Sequence, residues 1–199
     1  MKNQKVCIVG NGTSILNQNK GKSIDKFDIV VRFNRSPIEG YEKYVGTKTT
    51  HRFVNRIVSK NGREDSNEDI NFIPSLKNQI IILDGENNIN NVSFYKNVFH
   101  QSCKYKFINR NKEVKKLLSQ NLPHIKFNGK NPTGGLAMIS HFINEQYNVT
   151  ICGFDLEDNL NKKIIPHFYE KKRVKTSHDY KYEIKIINEL INKKIIKKL

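Results

Sequence analysis

Short apolar runs recur along the chain and alternate with polar stretches, which is the pattern of strands buried in a sheet. The runs are three to seven residues long, rich in Val, Ile and Phe, and mostly bounded by Gly, Asn, Asp or Pro. On this pattern we predict strands at residues 6–9, 27–33, 49–54, 80–83 and 149–152, with weaker strands at 98–102 and 125–127.

Between several of these strands, apolar residues recur at the three- and four-residue spacing of a helix face. We predict a short helix within 14–26, a turn at 20–22, loops at 59–71 and 85–93, and longer helices at 113–122, 136–147 and from about 179. Alternating strands and helices indicate an α/β domain with a mostly parallel sheet flanked by helices. Because 199 residues bury one full core and hardly two, we expect one domain over residues 1–199.

The first strand breaks abruptly into the loop Gly10-Asn11-Gly12. Glycines let backbone amides approach a ligand, and the Asn11 side chain adds a donor and an acceptor. A loop of this kind after a first strand is where α/β domains hold phosphate-bearing ligands. The loop matches neither G-x-G-x-x-G nor a Walker sequence, so a tight structural turn is the more ordinary explanation from these residues alone.

A second glycine pair precedes the helix predicted at 136, in the sequence Asn131-Pro132-Thr133-Gly134-Gly135. Proline is well tolerated in the first turn of a helix, where its missing amide has no intrahelical partner. Two glycines in that turn leave several amides uncovered, and the N-terminal end of a helix carries partial positive charge. We interpret residues 132–135 as a second anion-binding site.

Two histidines in aromatic surroundings lie between the last predicted strand and the last helix. His167 is followed by Phe-Tyr-Glu, and His178 by Asp-Tyr-Lys-Tyr-Glu. A solvated loop histidine is commoner than a catalytic one, but an imidazole can take a proton from a hydroxyl group or donate to a phosphate. Glu183 could orient the imidazole of His178 or cap the helix. Downstream of two anion sites, this pair favours group transfer from an anionic donor.

The charge balance favours an anionic partner, because 35 Lys and Arg residues stand against 19 Asp and Glu, a formal net charge of +16. Nucleic acid, anionic lipid and a nucleotide-activated substrate all fit that charge. The lysines are scattered without an aromatic-studded basic strand or a C₂H₂ pattern, so a nucleic-acid-binding module is a distant alternative. No His, Cys or Asp spacing suggests a metal site, and no metal is expected.

The C-terminal part is the most basic, with 12 Lys or Arg against four Asp or Glu over residues 159–199. A solvated helix face and polar tail at about 179–199 explain this most simply, and peripheral contact with an anionic inner membrane is the alternative. No apolar stretch approaches the ~20 residues of a membrane span, and the start has no signal-peptide core. Three cysteines without paired spacing fit a reducing compartment, so we expect a cytoplasmic protein.

Taken in chain order, these motifs resemble those of the animal-type sialyltransferases, glycosyltransferase family 29. Residues 7–12, 24–25, 28–34 and 45–52, with Pro37, resemble the large sialylmotif. The small motif is matched by 132–135 through 152–154, the third motif by 167–170, and the very small motif by His178, Asp179 and Glu183. Residues 55–125 match only loosely. A weaker similarity, in the first loop and the Gly-x-Asp ending of a later strand, extends to bacterial family-42 sialyltransferases.

The resemblance implies a single Rossmann-like domain of the GT-A variant type. It also implies an inverting, metal-independent transfer of sialic acid from CMP-sialic acid to a hydroxyl of an acceptor glycan, expected to end in galactose, with no cofactor. His178 would be the general base, and His167 would hydrogen-bond the departing CMP phosphate. The residues that would bind the donor are Asn11, Gly12, Asn34, Thr133, Gly134, Gly135, Gly153 and Phe154.

The chain also departs from the family pattern. A disulfide joins the large and small motifs of the animal enzymes; Cys7 occupies its first position, but the second falls near Gln146, so we expect no such bridge. Thr133 stands where the small motif usually has Ser. No residue reports on the tail of the sugar, so another CMP-activated ulosonic acid such as Kdo is the alternative donor. We expect acceptor specificity in residues 55–78 and 156–177.

Overall fold

The computed structural model describes residues 3–54, 78–85, 104–156, 167–169 and 178–199. Within them, seven strands form one sheet in the order β5-β4-β3-β2-β1-β6-β7, and every pairing is parallel. The strands are β1 Lys5–Val9, β2 Ile29–Phe33, β3 His51–Val54, β4 Ile80–Asp84, β5 Lys104–Ile108, β6 Asn148–Cys152 and β7 Lys197–Lys198.

Helices cover both faces of this sheet. The described helices are a 3₁₀ helix at Thr13–Asn17, α1 Gly21–Ile24, α2 Glu42–Val45, α3 Arg110–Asn121, α4 Gly134–Asn144 and α5 Tyr180–Asn192. Successive residues of a strand point to opposite faces. Val6 and Ile8 of β1 therefore join the core under α3, α4 and α5, whereas Cys7 and Val9 face the short helices.

The direction of winding reverses at β1. Strands β1 to β5 follow one another outward on one side, and β6 pairs with the other side of β1 through Val6↔Val149 and Ile8↔Ile151. At such a switch point the loops after the two central strands leave in opposite directions and open a crevice at the carboxyl edge of the sheet. The loops that follow β1 and β6 bound that crevice here.

The strands predicted at 6–9, 27–33, 49–54, 80–83 and 149–152 are present, and so are the three longer helices. The strand predicted at 125–127 is wrong: Ile125 lies in a turn, donates its N–H to the Leu122 carbonyl and is buried there. The turn predicted at 20–22 is also wrong, because α1 begins at Gly21. Residues 98–102, residues 59–71 and nearly all of 85–93 lie outside the described residues.

The end of the chain is part of the sheet and is not the polar tail that the sequence suggested. Ile196 is 2% exposed, Lys197 and Lys198 form the edge strand β7 beside β6, and the Leu199 N–H donates to the Ile151 carbonyl at 3.0 Å. Apolar residues between lysines anchor the segment, while the lysines at the sheet edge stay exposed. Among the described residues no helix combines the length and apolar character needed to cross a bilayer.

Two buried cysteines meet between neighbouring strands. Cys7 of β1 and Cys152 of β6 are free thiols with their Sγ atoms 3.7 Å apart. The hydrogen bond with Cys152, together with burial, raises the pKa of the Cys7 thiol far above its usual range. The thiol therefore stays protonated and packs as a small apolar group.

Candidate active site

The crevice at the switch point is a cleft of about 190 Å³. Its walls are the ends of β1, β2, β3 and β6, the starts of α3, α4 and α5, and His167. All ten site residues predicted from the sequence line this one cleft: Asn11, Gly12, Asn34, Thr133, Gly134, Gly135, Gly153, Phe154, His167 and His178. The structure thus brings the predicted residues together, while the role of each stays a prediction.

Two glycines let the loops after β1 and β6 cross in direct backbone contact. Gly10 N–H donates to the Cys152 carbonyl at 2.8 Å, and Gly12 N–H to the Gly153 carbonyl at 2.7 Å. A Cβ on Gly10 would lie 2.4 Å from the Gly153 oxygen. Gly153 has φ +67°, and a Cβ there would lie 2.6 Å from the Gly10 oxygen. No larger residue fits at either position without moving the floor of the cleft.

Aromatic rings fill the space that the glycines leave. The Phe154 ring lies between the two glycine-rich segments. A Cβ added at Gly10 would lie 3.0 Å from the ring atom Cδ2, and a Cβ added at Gly135 would lie 2.9 Å from Cε1. Gly134 lies in the same way against the ring of Phe53, since a Cβ added at Gly134 would lie 2.6 Å from Cε1. These rings give the cleft an apolar wall beside the amides that begin α4.

Asp155 fixes the loop after β1, a role that the sequence did not predict. Its carboxylate accepts the N–H groups of Thr13 at 2.9 Å and Ser14 at 3.0 Å. These are the first amides of the 3₁₀ helix, so Asp155 satisfies donors that have no partner within that helix. The Gly-Phe-Asp ending of β6 therefore holds the Gly10–Gly12 loop in place by both backbone and side chain.

Asn11 presents a buried acceptor to the cleft. Its backbone carbonyl accepts the Phe168 N–H at 2.9 Å, and its Nδ2 donates to the Tyr169 hydroxyl at 3.5 Å. Its Oδ1 is shielded from solvent and has no hydrogen-bond partner among the described residues. Because an unsatisfied buried acceptor costs free energy, this oxygen is suited to a donor supplied by a ligand.

His167 is held at the rim of the cleft by the residues that follow it. Phe168 is buried against Tyr41, with ring centroids 4.9 Å apart, and its N–H is bonded to Asn11 as described. The imidazole of His167 stacks on Tyr169 at 5.1 Å with 28° between the planes. The segment 167–169 is therefore fixed to the Asn11 loop, and His167 faces the same cleft as His178.

The hydrogen bond of His178 determines which ring nitrogen is basic. Nδ1 lies 2.9 Å from the backbone carbonyl of Asn131. A carbonyl oxygen can only accept, so Nδ1 carries the proton and Nε2 holds the lone pair of the neutral ring. This tautomer is the one that a general base acting through Nε2 requires. The Tyr180 ring packs edge-on to the imidazole at 6.1 Å.

The segment 131–133 holds together three elements at the cleft. Asn131 accepts from His178, and the Pro132 carbonyl accepts from Nη1 of Arg110 at 2.6 Å. Arg110, the first residue of α3, also pairs with Asp84 at the end of β4, with 2.6 Å between Nη2 and Oδ2. The sequence did not predict Arg110, although it lies two residues after β5, which ends at the same sheet edge.

Glu183 neither orients the imidazole of His178 nor caps α5. Asp179 is the N-cap, accepting the Tyr182 N–H at 3.2 Å. The Glu183 carboxylate instead accepts two bonds from Thr133, one from the backbone N–H at 2.7 Å and one from the hydroxyl at 2.5 Å. The two alternatives drawn from the sequence are both replaced, because the first turn of α5 packs against the start of α4.

Burial dominates the electrostatics of Glu183, which is 5% exposed. Burial raises the pKa of its carboxyl to about 7, against the lowering effect of the two Thr133 hydrogen bonds and of Arg110. Desolvation disfavours the charged form of a carboxyl group, and only part of that cost is returned by hydrogen bonds. A protonated carboxylic acid is therefore well populated at neutral pH beside the cleft.

Asn34 lies at the end of β2 in an unusual backbone conformation, with φ +46°. Its N–H donates to the Phe53 carbonyl at 2.8 Å, and its carbonyl accepts from Nη1 of Arg52 at 2.7 Å. Arg52 is buried, and burial lowers the pKa of its guanidinium to about 10, so it stays charged at neutral pH. Arg52 thus holds the backbone that carries the Asn34 side chain into the cleft.

Within the described parts of the chain no group of three His, Cys, Asp or Glu residues could hold a metal ion. The expected metal independence stays a prediction. The titratable groups that could transfer a proton in the described cleft include His178, His167, Glu183 and Tyr180, whereas the Asp155 carboxylate is occupied by the Thr13 and Ser14 amides. They stand beside the amides at the start of α4, an arrangement that can bind an anion and move a proton from a hydroxyl group.

Comparison with known families gives a match over nearly the whole chain. The model of glycosyltransferase family 29 (sialyltransferase) matches residues 2–195. Human CMP-N-acetylneuraminate-β-galactosamide-α-2,3-sialyltransferase 4 is 26% identical over 213 aligned residues, covering 98% of this chain and 64% of that protein. A 51-residue stretch, 26% of this chain, is 49% identical to human CMP-N-acetylneuraminate-β-1,4-galactoside α-2,3-sialyltransferase. The stretch corresponds to 14% of that protein. The chain spans less than two thirds of these relatives.

Solved structures share the fold. A mammalian sialyltransferase superposes with a TM-score of 0.68 at 21% identity, over 98% of this chain and 68% of that one. The sialyltransferase CstII from Campylobacter jejuni, solved with cytidine-5'-monophosphate, gives a TM-score of 0.60 at 20% identity, over 100% of this chain and 79% of that one. The single parallel sheet with helices on both faces is thus the architecture of sialyltransferases.

Proposed function

The chain belongs to glycosyltransferase family 29, the sialyltransferases, and we propose that it moves sialic acid from CMP-sialic acid to a hydroxyl group of an acceptor glycan. The observation that carries the proposal is the single cleft that gathers all four motif regions, with His178 tied to Asn131 so that Nε2 is basic. We further infer the GT-A variant arrangement, a single catalytic domain over residues 1–199, and a reaction without metal or cofactor.

The proposed reaction is a single displacement that inverts the sugar carbon. The acceptor oxygen forms a bond to the anomeric carbon of sialic acid while the bond from that carbon to the CMP phosphate oxygen breaks. The acceptor proton passes to Nε2 of His178, and the bonding electrons leave with CMP. Negative charge grows on the phosphate as the bond breaks, so fixed donors at that position contribute most to catalysis.

The described residues supply such donors around the leaving group. The amides of Gly134 and Gly135 stand at the N-terminal end of α4, where the helix dipole favours an anion. His167 is assigned to the phosphate, and Asn11 and Asn34 to the nucleoside from the ends of β1 and β2. Gly12, Gly153 and Phe154 shape the nucleotide side of the cleft. The Thr133 hydroxyl donates its hydrogen bond to the Glu183 carboxylate. Its contact with the CMP-sugar therefore depends on Glu183.

Release of CMP from CMP-sialic acid in the presence of a galactose-ended acceptor tests this function. We expect H178A to lower kcat by about 10²–10⁴-fold, the usual contribution of a general base. H124A is the matched control, because His124 pairs with Glu189 on the surface with a side chain 55% exposed, and it should retain wild-type turnover. Wild-type turnover in H178A would exclude His178 as the base.

The same assay tests whether the enzyme uses CMP-sialic acid or the alternative donor, CMP-Kdo. CMP-Kdo and CMP-sialic acid share the nucleotide and differ in the tail of the sugar, which no described residue identifies. A panel of the two donors with one acceptor therefore distinguishes sialic acid transfer from Kdo transfer. Acceptor specificity is expected in residues 55–78 and 156–177, of which 55–77, 157–166 and 170–177 lie outside the described residues.

A cytoplasmic location with peripheral contact to an anionic inner membrane remains our proposal for the basic C-terminal part. The exposed lysines that could make this contact are Lys193, Lys194, Lys197 and Lys198. We expect their replacement by Gln to weaken co-sedimentation with anionic vesicles. Replacing Lys5, Lys22, Lys26 and Lys116, exposed elsewhere, removes the same charge and is the control. Equal loss in both variants would assign binding to net charge alone.

A further inference from the structure

Thr133 and Glu183 form a hydrogen-bonded pair whose direction depends on one proton, and we propose that this pair binds the anionic group of the donor only when Glu183 is protonated. The identity of the anion rests on the proposed function. The inference adds a proton-linked binding step and gives Glu183 a positioning role that acts through Thr133.

With Glu183 ionised, the Thr133 hydroxyl cannot serve an anion. Both carboxylate oxygens only accept, and the hydroxyl donates to Oε2 at 2.5 Å, a length typical of a charge-assisted O–H···O⁻ bond. The same hydroxyl oxygen accepts the Leu136 N–H at 3.2 Å as the cap of α4. Its one proton is therefore committed to Glu183. The buried negative charge behind it also repels an anion in the cleft.

With Glu183 protonated, the direction of the side-chain bond reverses. The acid O–H donates to Oγ1 of Thr133, and that oxygen still accepts the Leu136 N–H, so both of its lone pairs are used. Its own proton then turns toward the cleft that Thr133 lines. The bond from the Thr133 backbone N–H to Oε1 is unchanged. One proton on Glu183 thus converts Thr133 into a donor beside the amides of Gly134 and Gly135.

The surroundings of Glu183 allow its carboxyl group to gain or lose this proton near neutral pH. Burial raises the pKa of the carboxyl to about 7, Arg110 of α3 and the Thr133 bonds lower it, and Asp179 of α5 raises it. Arg110 is itself paired with Asp84. Tyr182 on α5 and His178 beside it are the other titratable groups near the pair. An anion bound at Thr133 favours the neutral acid further, so binding above neutral pH takes up a proton.

The direct test compares the affinity of wild type and E183Q for CMP by titration calorimetry between pH 6 and pH 9. Glutamine reproduces the neutral acid, because Oε1 accepts from the Thr133 N–H and Nε2 donates to Oγ1. We expect wild-type affinity to fall by up to about tenfold per pH unit above pH 7, while E183Q changes far less. Titration of the CMP phosphate itself is common to both proteins and cancels in the comparison.

Proton uptake gives a second readout that needs no variant. At pH 8, titrations of wild type with CMP in two buffers of different ionisation enthalpy should report uptake of up to one proton, and E183Q should report none. Cytidine and free sialic acid separate the two anionic groups of the CMP-sugar, because cytidine lacks the phosphate and free sialic acid carries only the carboxylate. Uptake with CMP assigns the anion to the phosphate; uptake only with free sialic acid assigns it to the sugar carboxylate.

Equal pH dependence in wild type and E183Q, with no proton uptake by wild type with either anion, overturns the inference. Absence of CMP binding at every pH overturns the proposed function instead, so the two failures are distinguishable. Should E183Q not fold, T133V removes the hydroxyl that the mechanism needs. At pH 6, where Glu183 is mostly protonated, it should bind the anion that drives proton uptake more weakly than wild type does, and wild-type affinity of T133V for that anion also overturns the inference.

Discussion

Asn11 is the residue on which recognition of the nucleotide can be tested most cleanly. Its Oδ1 is buried with no partner among the described residues, and its Nδ2 bond to Tyr169 is long at 3.5 Å. We expect N11A to weaken CMP binding by about tenfold, the worth of one or two hydrogen bonds. Titration calorimetry measures this. Asn19 is exposed on the same stretch, so N19A should bind CMP as wild type does.

An unchanged affinity in N11A would show that the Asn11 oxygen does not contact the ligand. Circular dichroism of N11A decides whether a weaker affinity reflects loss of the fold. Since the backbone carbonyl of Asn11 still accepts the Phe168 N–H in the variant, the segment 167–169 should remain docked.

Single residues of the cleft were predictable where their neighbours in sequence mark the end of a strand or the start of a helix. Asn11, Asn34 and Gly153 follow apolar runs, and parallel strands bring such ends to one edge. Arg110, Asp155 and Tyr180 were not predicted. Asp155 and Arg110 act through contacts with residues distant in sequence, Thr13 and Pro132, and the Tyr180 sequence context gives no chemical signal.

The crossing of the loops after β1 and β6 is the element on which the cleft depends most. Gly153 and Gly129 both have positive φ, +67° and +77°, but a Cβ on Gly129 would meet nothing within 4 Å. G129A should therefore cost about 1 kcal/mol of unfolding free energy from backbone strain. G153A adds the clash with Gly10 and should cost about 1–3 kcal/mol more.

Urea unfolding of the two variants measures this difference, and CMP binding reports on the cleft. Equal stability of G153A and G129A would show that the two loops can separate at little cost. Retained CMP affinity in G153A would show that the nucleotide does not depend on the crossing.

Elements were predicted where burial on both faces makes a strand continuously apolar, as in β1, β2 and β4. Strands β5 and β7 were missed because each lies at an edge of the sheet and carries lysines, which blunt an edge against further pairing. Residues 125–127 have the composition of a strand, yet Ile125 fills the core from a turn after α3. Short apolar runs do not by themselves distinguish these two outcomes.

At the scale of the whole molecule, the last residues close one side of the sheet. Removing residues 195–199 deletes the buried Ile196 and the bond from Leu199 to Ile151. We expect a loss of about 2–5 kcal/mol in unfolding free energy, the range for removing a large buried side chain. Thermal or urea unfolding measures it.

The double variant K197Q/K198Q is the matched control for that truncation. Both lysines are exposed, so their replacement should change unfolding free energy by less than about 0.5 kcal/mol. A truncated protein as stable as wild type would show that β7 adds nothing to the sheet. Vesicle binding should therefore be tested by substitution, because truncation changes stability and charge together.

The class of fold followed from the alternation of strands and helices, and the strand order did not. A parallel sheet can place its first strand at an edge or in the middle with the same local pattern. Here β1 is central because β6 pairs along its full length, from Lys5↔Asn148 to Val9↔Cys152. That register depends on contacts between residues far apart in the sequence, which periodicity does not report.

The pairing of β1 with β6 has a consequence for synthesis of the chain. One side of β1 stays without its partner while about 140 further residues are translated, which takes roughly 7–28 s at ordinary elongation rates. An apolar strand exposed for that time is a template for aggregation, and pairings so distant in sequence form slowly. Nascent chains that end before β6 are thus expected to need chaperones, and ligand binding can begin only after α5 leaves the ribosome.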